Sequence, residues 1–150
     1  MGGAARLGYV FTRVSSRQTA SGSVDCYHMG VRGGAEGVWE VHGVNGFTST
    51  RKRMSLVVKE PSGQYVLYAK GADMMMANDC QVAIPPTAKE HLQAFAVDGL
   101  RTLVVAKKQL SEGEFAEWKA VSRLSIPQAI LSQDPCCIPQ AVRSQDSMPR

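Results

Sequence analysis

The clearest pattern in the chain is a pair of apolar runs separated by a short polar turn. Residues 54–59 and 65–69 are rich in Val, Leu and Tyr, which favour strands. Between the two runs, Pro61 stands early and Gly63 stands late, an arrangement typical of a β-turn. The pattern therefore predicts a β-hairpin over residues 54–69.

Further stretches carry the composition of strands. The alternation of residues 38–44 places Trp39, Val41 and Gly43 on one face and the intervening residues on the other. Residues 100–107 form a more continuous apolar run, which is typical of a central strand. We expect strands at residues 9–14, 24–31, 38–44 and 100–107, with a polar loop at 15–23 and a glycine-rich turn at 32–37.

Helix signals lie between and after these strands. Gly8 is placed to end a helix over residues 2–7, and residues 72–79 form a short methionine-rich helix. Thr87 with Glu90, and Ser111 with Glu114, have the spacing of capping boxes, so each pair predicts a helix start. The first of these helices is expected to end at residues 98–99, and the second to run through residue 121.

The character of the chain changes near residue 124. Residues 125–150 contain four prolines among Gln and Ser and show no periodicity, which predicts a disordered tail. Residues 1–124 are then expected to form one domain. Their mixture of elements predicts an α/β (α+β) fold, a twisted and mainly antiparallel sheet flanked by helices.

Bulk composition adds little to this picture. The chain of 150 residues is 44% hydrophobic and 20% charged, which is ordinary for a soluble globular protein. It has neither an apolar window of about 18 residues nor the apolar core of a signal peptide. Its cysteines and histidines lack metal-ligand spacing, so we expect no metal site. Reduced thiols in a cytoplasmic setting are the default expectation for these cysteines.

Candidate chemistry gathers at one end of the predicted hairpin. Phe47 and the triplet 51–53 (Arg-Lys-Arg) lie before its first strand, and Lys70 and Gly71 follow its second. A ring offers a stacking face, cations attract phosphates, and a glycine lets a ligand approach the backbone. This end is therefore predicted to bind a flat anionic ligand. Nucleic acid is not the expected ligand, because one basic triplet lacks a wider basic face with interleaved aromatics.

Three sequence blocks, by their residues and by their order along the chain, carry a family resemblance: residues 47–55, 67–73 and 98–103. They resemble the nucleotide-binding (N) domain of P-type ATPases, most closely that of the phospholipid-translocating flippases (P4 class). The resemblance covers roughly residues 3–122. It implies an N domain cut at both ends, because the family's upstream Ser-Pro-Asp-Glu block would lie before Met1. It also shows a departure at Gly46, where the family usually has an acidic residue.

The resemblance implies that seven residues bind ATP or ADP. Phe47 would stack on adenine, Lys70 would pack along the base or ribose with its ammonium near the phosphates, and Arg101 would chelate phosphate oxygens. Lys52 would face the same cleft, and Gly71 would leave room for the ligand. The complete set is Phe47, Ser49, Lys52, Met54, Lys70, Gly71 and Arg101.

No residue of this chain is predicted to be catalytic. Phosphoryl transfer needs a nucleophile and a held metal ion. The resemblance assigns the phosphorylated aspartate and the Mg²⁺ ligands to a separate domain. We therefore expect the chain alone to bind ATP without hydrolysing it. In a parent flippase it would lie on the cytosolic side of the membrane, outside the bilayer, and would work with phosphorylation and transmembrane domains.

An alternative function is a non-catalytic interaction or regulatory fragment with a relic nucleotide pocket. The missing upstream glutamate and Gly46 favour this alternative slightly. A nucleotide titration separates the two functions, because only the first requires saturable binding.

Overall fold

The described part of the chain is built on one six-stranded sheet. The computed structural model describes residues 5–6, 8–20, 22–31, 34–78, 80 and 82–123. The strands follow one another across the sheet in chain order, and every neighbouring pair is antiparallel. The sheet is thus a meander, in which each strand pairs with the strand that precedes it in the sequence.

The predicted fold class, α/β (α+β) with a mainly antiparallel sheet and flanking helices, is confirmed. The strands are β1 (Tyr9–Thr19), β2 (Gly22–Val31), β3 (Glu36–Asn45), β4 (Arg53–Lys59), β5 (Tyr65–Gly71) and β6 (Val104–Leu110). The helices are α1 (Asp73–Asn78), α2 (Pro86–Val97) and α3 (Glu112–Arg123).

The predicted hairpin is present as β4 and β5. In its turn, the Gly63 N–H donates to the Glu60 carbonyl at 2.8 Å, and the Glu60 N–H donates to the Gln64 carbonyl at 2.9 Å. Gly63 has a φ of 85°, a conformation that glycine adopts without steric cost. The register pairs Arg53 with Gly71, so the first residue of β4 lies beside the last residue of β5.

The prediction of a polar loop over residues 15–23 is wrong. β1 continues to residue 19, and β2 begins at residue 22. Polar side chains of this hairpin form hydrogen bonds across it: Ser16 Oγ donates to the side chain of Asp25 (Oδ1) at 3.2 Å, and Thr19 Oγ1 donates to the backbone carbonyl of Gly22 at 2.7 Å. Such pairs stabilise a strand that has no apolar alternation to reveal it.

The strand predicted over residues 100–107 begins later in the sequence than expected, and it is not a central strand. β6 starts at residue 104 and lies at an edge of the described sheet. The preceding residues close α2 instead: Gly99 has a φ of 72°, and the Leu100 N–H donates to the Phe95 carbonyl at 2.9 Å. Val105 is 70% exposed, so the apolar run does not mark a strand that is covered on both faces.

Only one of the two predicted capping boxes forms. Helix α2 begins one residue before Thr87, with Pro85 at the cap position, Pro86 in the first turn and no side-chain cap. Proline suits this position because its missing N–H would have no helical partner. At the start of α3, Ser111 and Glu114 form the predicted box: the Ser111 N–H donates to Glu114 Oε2 at 2.8 Å, and the Glu114 N–H donates to Ser111 Oγ at 3.2 Å.

Two buried clusters hold α1 and α3 against one face of the sheet. In the first, β4, β5 and β6 pack against α3 through Val57, Leu67, Leu110 and Phe115. In the second, Met76 of α1 packs with Ala69, Cys80 and neighbouring apolar residues. Burial of each large side chain contributes roughly 1.5–3 kcal/mol. Of the methionine run in α1, Met76 is fully buried, whereas Met74 is 67% exposed.

A β-bulge in β3 breaks the predicted alternation of that strand. The register with β4 shifts between Val41 and Gly43. His42 contacts the Phe115 ring with centroids 5.1 Å apart, and a Cβ at Gly43 would lie 2.6 Å from the Trp118 ring. Consecutive residues of β3 thus face α3, which strict alternation forbids.

Two terminal predictions lie partly or wholly outside the described residues. For the helix over residues 2–7, Ala5 and Arg6 are helical. Gly8 follows with a φ of 87°, and its N–H donates to the Ala5 carbonyl at 3.1 Å, as predicted for a helix-ending glycine. The predicted tail, residues 125–150, is not described, so the domain boundary near residue 124 stays a prediction.

The capping box at α3 predicts a specific acid dependence of stability. The Ser111 N–H, followed by the Lys108 ammonium at 2.9 Å, lowers the pKa of Glu114 from 4.5 to about 2. Because the folded-state pKa lies below the ordinary value, the carboxylate stabilises the fold above about pH 4.5. This contribution is lost as pH falls towards about 2.

We expect E114Q to flatten this loss. Urea unfolding between about pH 6 and about pH 3 should show a smaller decrease in unfolding free energy for E114Q than for the natural chain. E112Q is the matched control, since it removes a carboxylate from the same helical turn and should keep the natural slope. Equal slopes for E114Q and the natural chain would contradict the assignment.

Candidate functional site

The loop between β3 and β4 presents Phe47 at one end of the sheet. The Phe47 side chain is 62% exposed. Within the described part of the chain, no other aromatic ring contacts it. A flat ligand could therefore stack on this ring without displacing a protein side chain.

Lys52 ties this loop to the end of β5. Its φ of 49° is the only positive φ of a non-glycine residue among those described. The Lys52 N–H donates to the Thr48 carbonyl at 2.8 Å, and the Lys52 carbonyl accepts the Ala72 N–H at 3.2 Å. The backbone of Lys52 is thus fixed on both sides, while its side chain is exposed at the same end of the sheet as Phe47.

Met54, Lys70 and Val105 form a row across β4, β5 and β6. The register places Met54 opposite Lys70, and Lys70 opposite Val105, so the three side chains share one face. Their neighbour Ala69 packs against α1 on the other face. The row therefore faces away from α1 and α3, and Lys70 and Val105 are exposed.

Gly71 permits the close approach of two strand ends. A Cβ at this position would lie 2.7 Å from the Cβ of Arg53 and 2.9 Å from the carbonyl oxygen of Lys52. These contacts are within the protein, so the need for glycine at residue 71 exists whether or not a ligand binds. From the sequence, we expected glycine at residue 71 to leave room for a ligand. The structure instead requires glycine because a Cβ would clash with Lys52 and Arg53, which makes Gly71 part of the support of the loop.

Ser49 and Arg101 are the least constrained candidates. Ser49 is exposed in the turn that follows Phe47. Arg101 is exposed in the irregular segment before β6, and the first residue of that strand, Val104, pairs with Gly71. The topology thus brings Arg101 to the same end of the sheet. Among the described residues, however, no hydrogen bond or ion pair joins it to the other candidates.

The remaining cations of this end have structural roles. Arg53 is buried, and its Nη1 donates to the Arg51 carbonyl at 3.2 Å. Arg51 Nη1 donates to the Gly46 carbonyl at 2.9 Å. These contacts give both arginines a role in holding the loop, and they leave Lys52, Lys70 and Arg101 as the exposed cations considered for an anion.

Comparison with known proteins identifies the family. Residues 36–138 match the family model of the P-type ATPase, cytoplasmic domain N. This match covers more than half of the chain. The chain belongs to this family. The six-stranded antiparallel sheet with its accompanying helices is consistent with that membership.

Several curated relatives are phospholipid-transporting ATPases, and each match covers a small part of the relative. Phospholipid-transporting ATPase dnf2 of Schizosaccharomyces pombe is 49% identical over 77 residues, 49% of this chain and 6% of the relative. Phospholipid-transporting ATPase ID of Mus musculus is 45% identical over 94 residues, 59% of this chain and 7% of the relative. Phospholipid-transporting ATPase VD of Homo sapiens is 44% identical over 86 residues, 48% of this chain and 6% of the relative. The N domain described here thus spans less than a tenth of these proteins.

Neither a metal-binding cluster nor a membrane-spanning helix is found among the described residues. Within the described ranges, no three His, Cys, Asp or Glu side chains converge as a metal site. No helix of the described chain has the length and apolar character to cross a membrane.

Sequence reasoning missed two residues of this end of the N domain. Thr48 accepts hydrogen bonds at both its hydroxyl and its carbonyl, from the N–H groups of Arg51 and Lys52. A threonine three residues before Arg51 was the available signal, because Ser and Thr hydroxyls commonly bond to backbone N–H groups nearby. Val105 was attributed to a central strand, and the register reveals it as the exposed neighbour of Lys70.

The contacts of Gly71 predict that alanine at this position destabilises the fold without any ligand. G71A should lower the unfolding free energy by roughly 1–3 kcal/mol, since a Cβ there would clash with the carbonyl oxygen of Lys52 and with Arg53. G46A is the matched control at the same end of the sheet, because a Cβ there meets nothing within 4 Å. Thermal unfolding of both variants measures the difference. A natural melting temperature for G71A would contradict the close approach.

Proposed function

We propose that this N domain binds ATP and ADP, with Phe47 stacking on the adenine ring. The observation that carries the proposal is the exposed Phe47 ring, which the loop between β3 and β4 presents at the end of the sheet where the row Met54–Lys70–Val105 lies. Stacking on an aromatic side chain contributes roughly 1–3 kcal/mol per base. Membership of the P-type ATPase N-domain family supports the choice of nucleotide.

The neighbouring residues divide into base and phosphate contacts. In this proposal, Met54 and the methylene stem of Lys70 supply apolar surface to the base and ribose. The ammonium groups of Lys52 and Lys70 attract the phosphates, and the Arg101 guanidinium can bind two phosphate oxygens at once. Ser49 supplies a hydroxyl at the rim, while Gly71 keeps the strand ends together.

In a complete protein, this domain would present ATP to an aspartate in a separate domain. Because the relatives are phospholipid-transporting ATPases, a parent flippase is the proposed context. The chain would then lie at the cytosolic side of a membrane, beside phosphorylation and transmembrane domains. Mg²⁺ would be held mainly by the phosphorylation domain, and residues of this chain would bind and orient the nucleotide without cleaving it.

The affinity of the isolated chain is expected to be low. One stacked ring and a few exposed cations should give a Kd of about 0.1 to a few mM, or roughly −4 to −5.5 kcal/mol. F47A should weaken ATP and ADP about equally, by roughly 1–3 kcal/mol, because both ligands lose the same stacking contact.

NMR or calorimetric titration measures this effect, and F11A is the matched control. Phe11 is 46% exposed on β1, at the opposite edge of the described sheet, so its loss should leave binding unchanged. If the natural chain shows no saturable binding at roughly tenfold excess over this range, nucleotide binding fails and the interaction-fragment alternative is favoured.

The charge of Lys70 predicts a different pattern of loss. K70A should weaken ATP several-fold more than adenosine, and added salt should shrink the difference, because the lost attraction is between an exposed ammonium and phosphates. K89A, which removes an exposed lysine from α2, is the control and should change neither ligand. An equal loss for ATP and adenosine would place Lys70 against the base alone.

A further inference from the structure

The backbone on both sides of Phe47 is held by hydrogen bonds from two loop residues. Before Phe47, the Gly46 carbonyl accepts a hydrogen bond from Arg51 Nη1 at 2.9 Å. After Phe47, Thr48 Oγ1 accepts the Arg51 N–H at 3.2 Å, and the Thr48 carbonyl accepts the Lys52 N–H at 2.8 Å. The aromatic residue is therefore enclosed by contacts that do not involve its own side chain.

The ring itself receives no such support. It is 62% exposed, and none of the aromatic rings in the described chain contacts it. Because most of the ring is exposed, the backbone of residues 46–52 sets where the ring is presented. A ring that is already oriented binds a flat ligand without the entropic cost of ordering a mobile loop.

From this geometry we propose that Thr48 and Arg51 are positioning residues for nucleobase binding. The inference rests on the proposed function and deepens it. Thr48 anchors the loop through its hydroxyl, and Arg51 closes the loop by joining the Gly46 carbonyl to the Thr48 hydroxyl. The Arg51 guanidinium acts on the protein backbone, so its contribution to binding passes through Phe47 rather than through the phosphates.

The loop offers a matched pair of substitutions. T48V removes the accepting hydroxyl and keeps the side-chain shape. T50V makes the same chemical change two residues later, where the exposed Thr50 has no hydrogen bond among the described residues. We expect T48V to weaken ADP roughly 3- to 10-fold, as the loss of one net hydrogen bond would. T50V should leave the affinity unchanged.

Ligand choice separates positioning from charge. R51A should weaken adenosine and ATP by the same factor, because the oriented ring is what both ligands lose. A guanidinium that contacts phosphates would instead cost ATP alone. In the F47A background, the R51A effect on ATP should vanish, since residues that act through one another are not additive. An undiminished R51A effect in F47A would overturn the inference.

A measurement without nucleotide keeps the inference testable even if the proposed function fails. The backbone order parameter of the Phe47 N–H should fall in T48V and R51A but not in T50V. Unchanged order in T48V and R51A would overturn the positioning role. If order falls as expected while the natural chain binds no ATP or adenosine, the loop support is correct and the nucleotide proposal is wrong. Thermal unfolding of each variant checks that the fold persists.

Discussion

The close approach of Gly71 to the backbone of Lys52 and Arg53 is the contact on which this end of the molecule depends. The end of β5 reaches the start of β4 because residue 71 has no Cβ. That approach allows the Ala72 N–H to donate to the Lys52 carbonyl. Lys52 then holds the loop through Thr48, and the loop presents Phe47. A single glycine in the sheet thus supports an aromatic side chain that it does not need to touch.

The distribution of helices decides which surface is open to a ligand. α1 and α3 cover one face of β4, β5 and β6 through the clusters around Met76 and Phe115. The row of Met54, Lys70 and Val105 lies on the opposite face. The core therefore stabilises the sheet without closing this surface, and apolar and cationic groups stay exposed beside the loop. This separation of core and candidate site follows from the period of two in each strand.

Sequence patterns predicted the parts of the fold that local chemistry determines. The β4–β5 hairpin, the Gly99 ending of α2 and the Ser111–Glu114 capping box each depend on residues close together in the chain. The polar strand residues of β1, the bulge at Gly43 and the true start of β6 depend on partners in other elements. Their signals were therefore absent from, or misleading in, a single segment.

The candidate site shows the same division. Phe47, Lys70 and Gly71 could be named because they lie in recognisable blocks of sequence. The reason why residue 71 must be glycine could not be inferred from those blocks, since the atoms that a Cβ at this position would meet lie beside or in another strand. The support from Thr48 and Arg51 was likewise hidden, because it depends on which loop carbonyl a guanidinium reaches. Topology, not composition, brings Arg101 to this end of the sheet.

Mapping ADP binding by NMR amide shifts tests the central claim most directly, because every described backbone N–H reports at once. If ADP binds beside the exposed Phe47 ring, saturable shifts should concentrate in residues 46–54 and 70–72, with smaller shifts near residues 101–105. Residues of β1 and α3 should stay unchanged. The claim would be contradicted if the largest saturable shifts lay in α2 or α3 while the amides of residues 46–54 did not move.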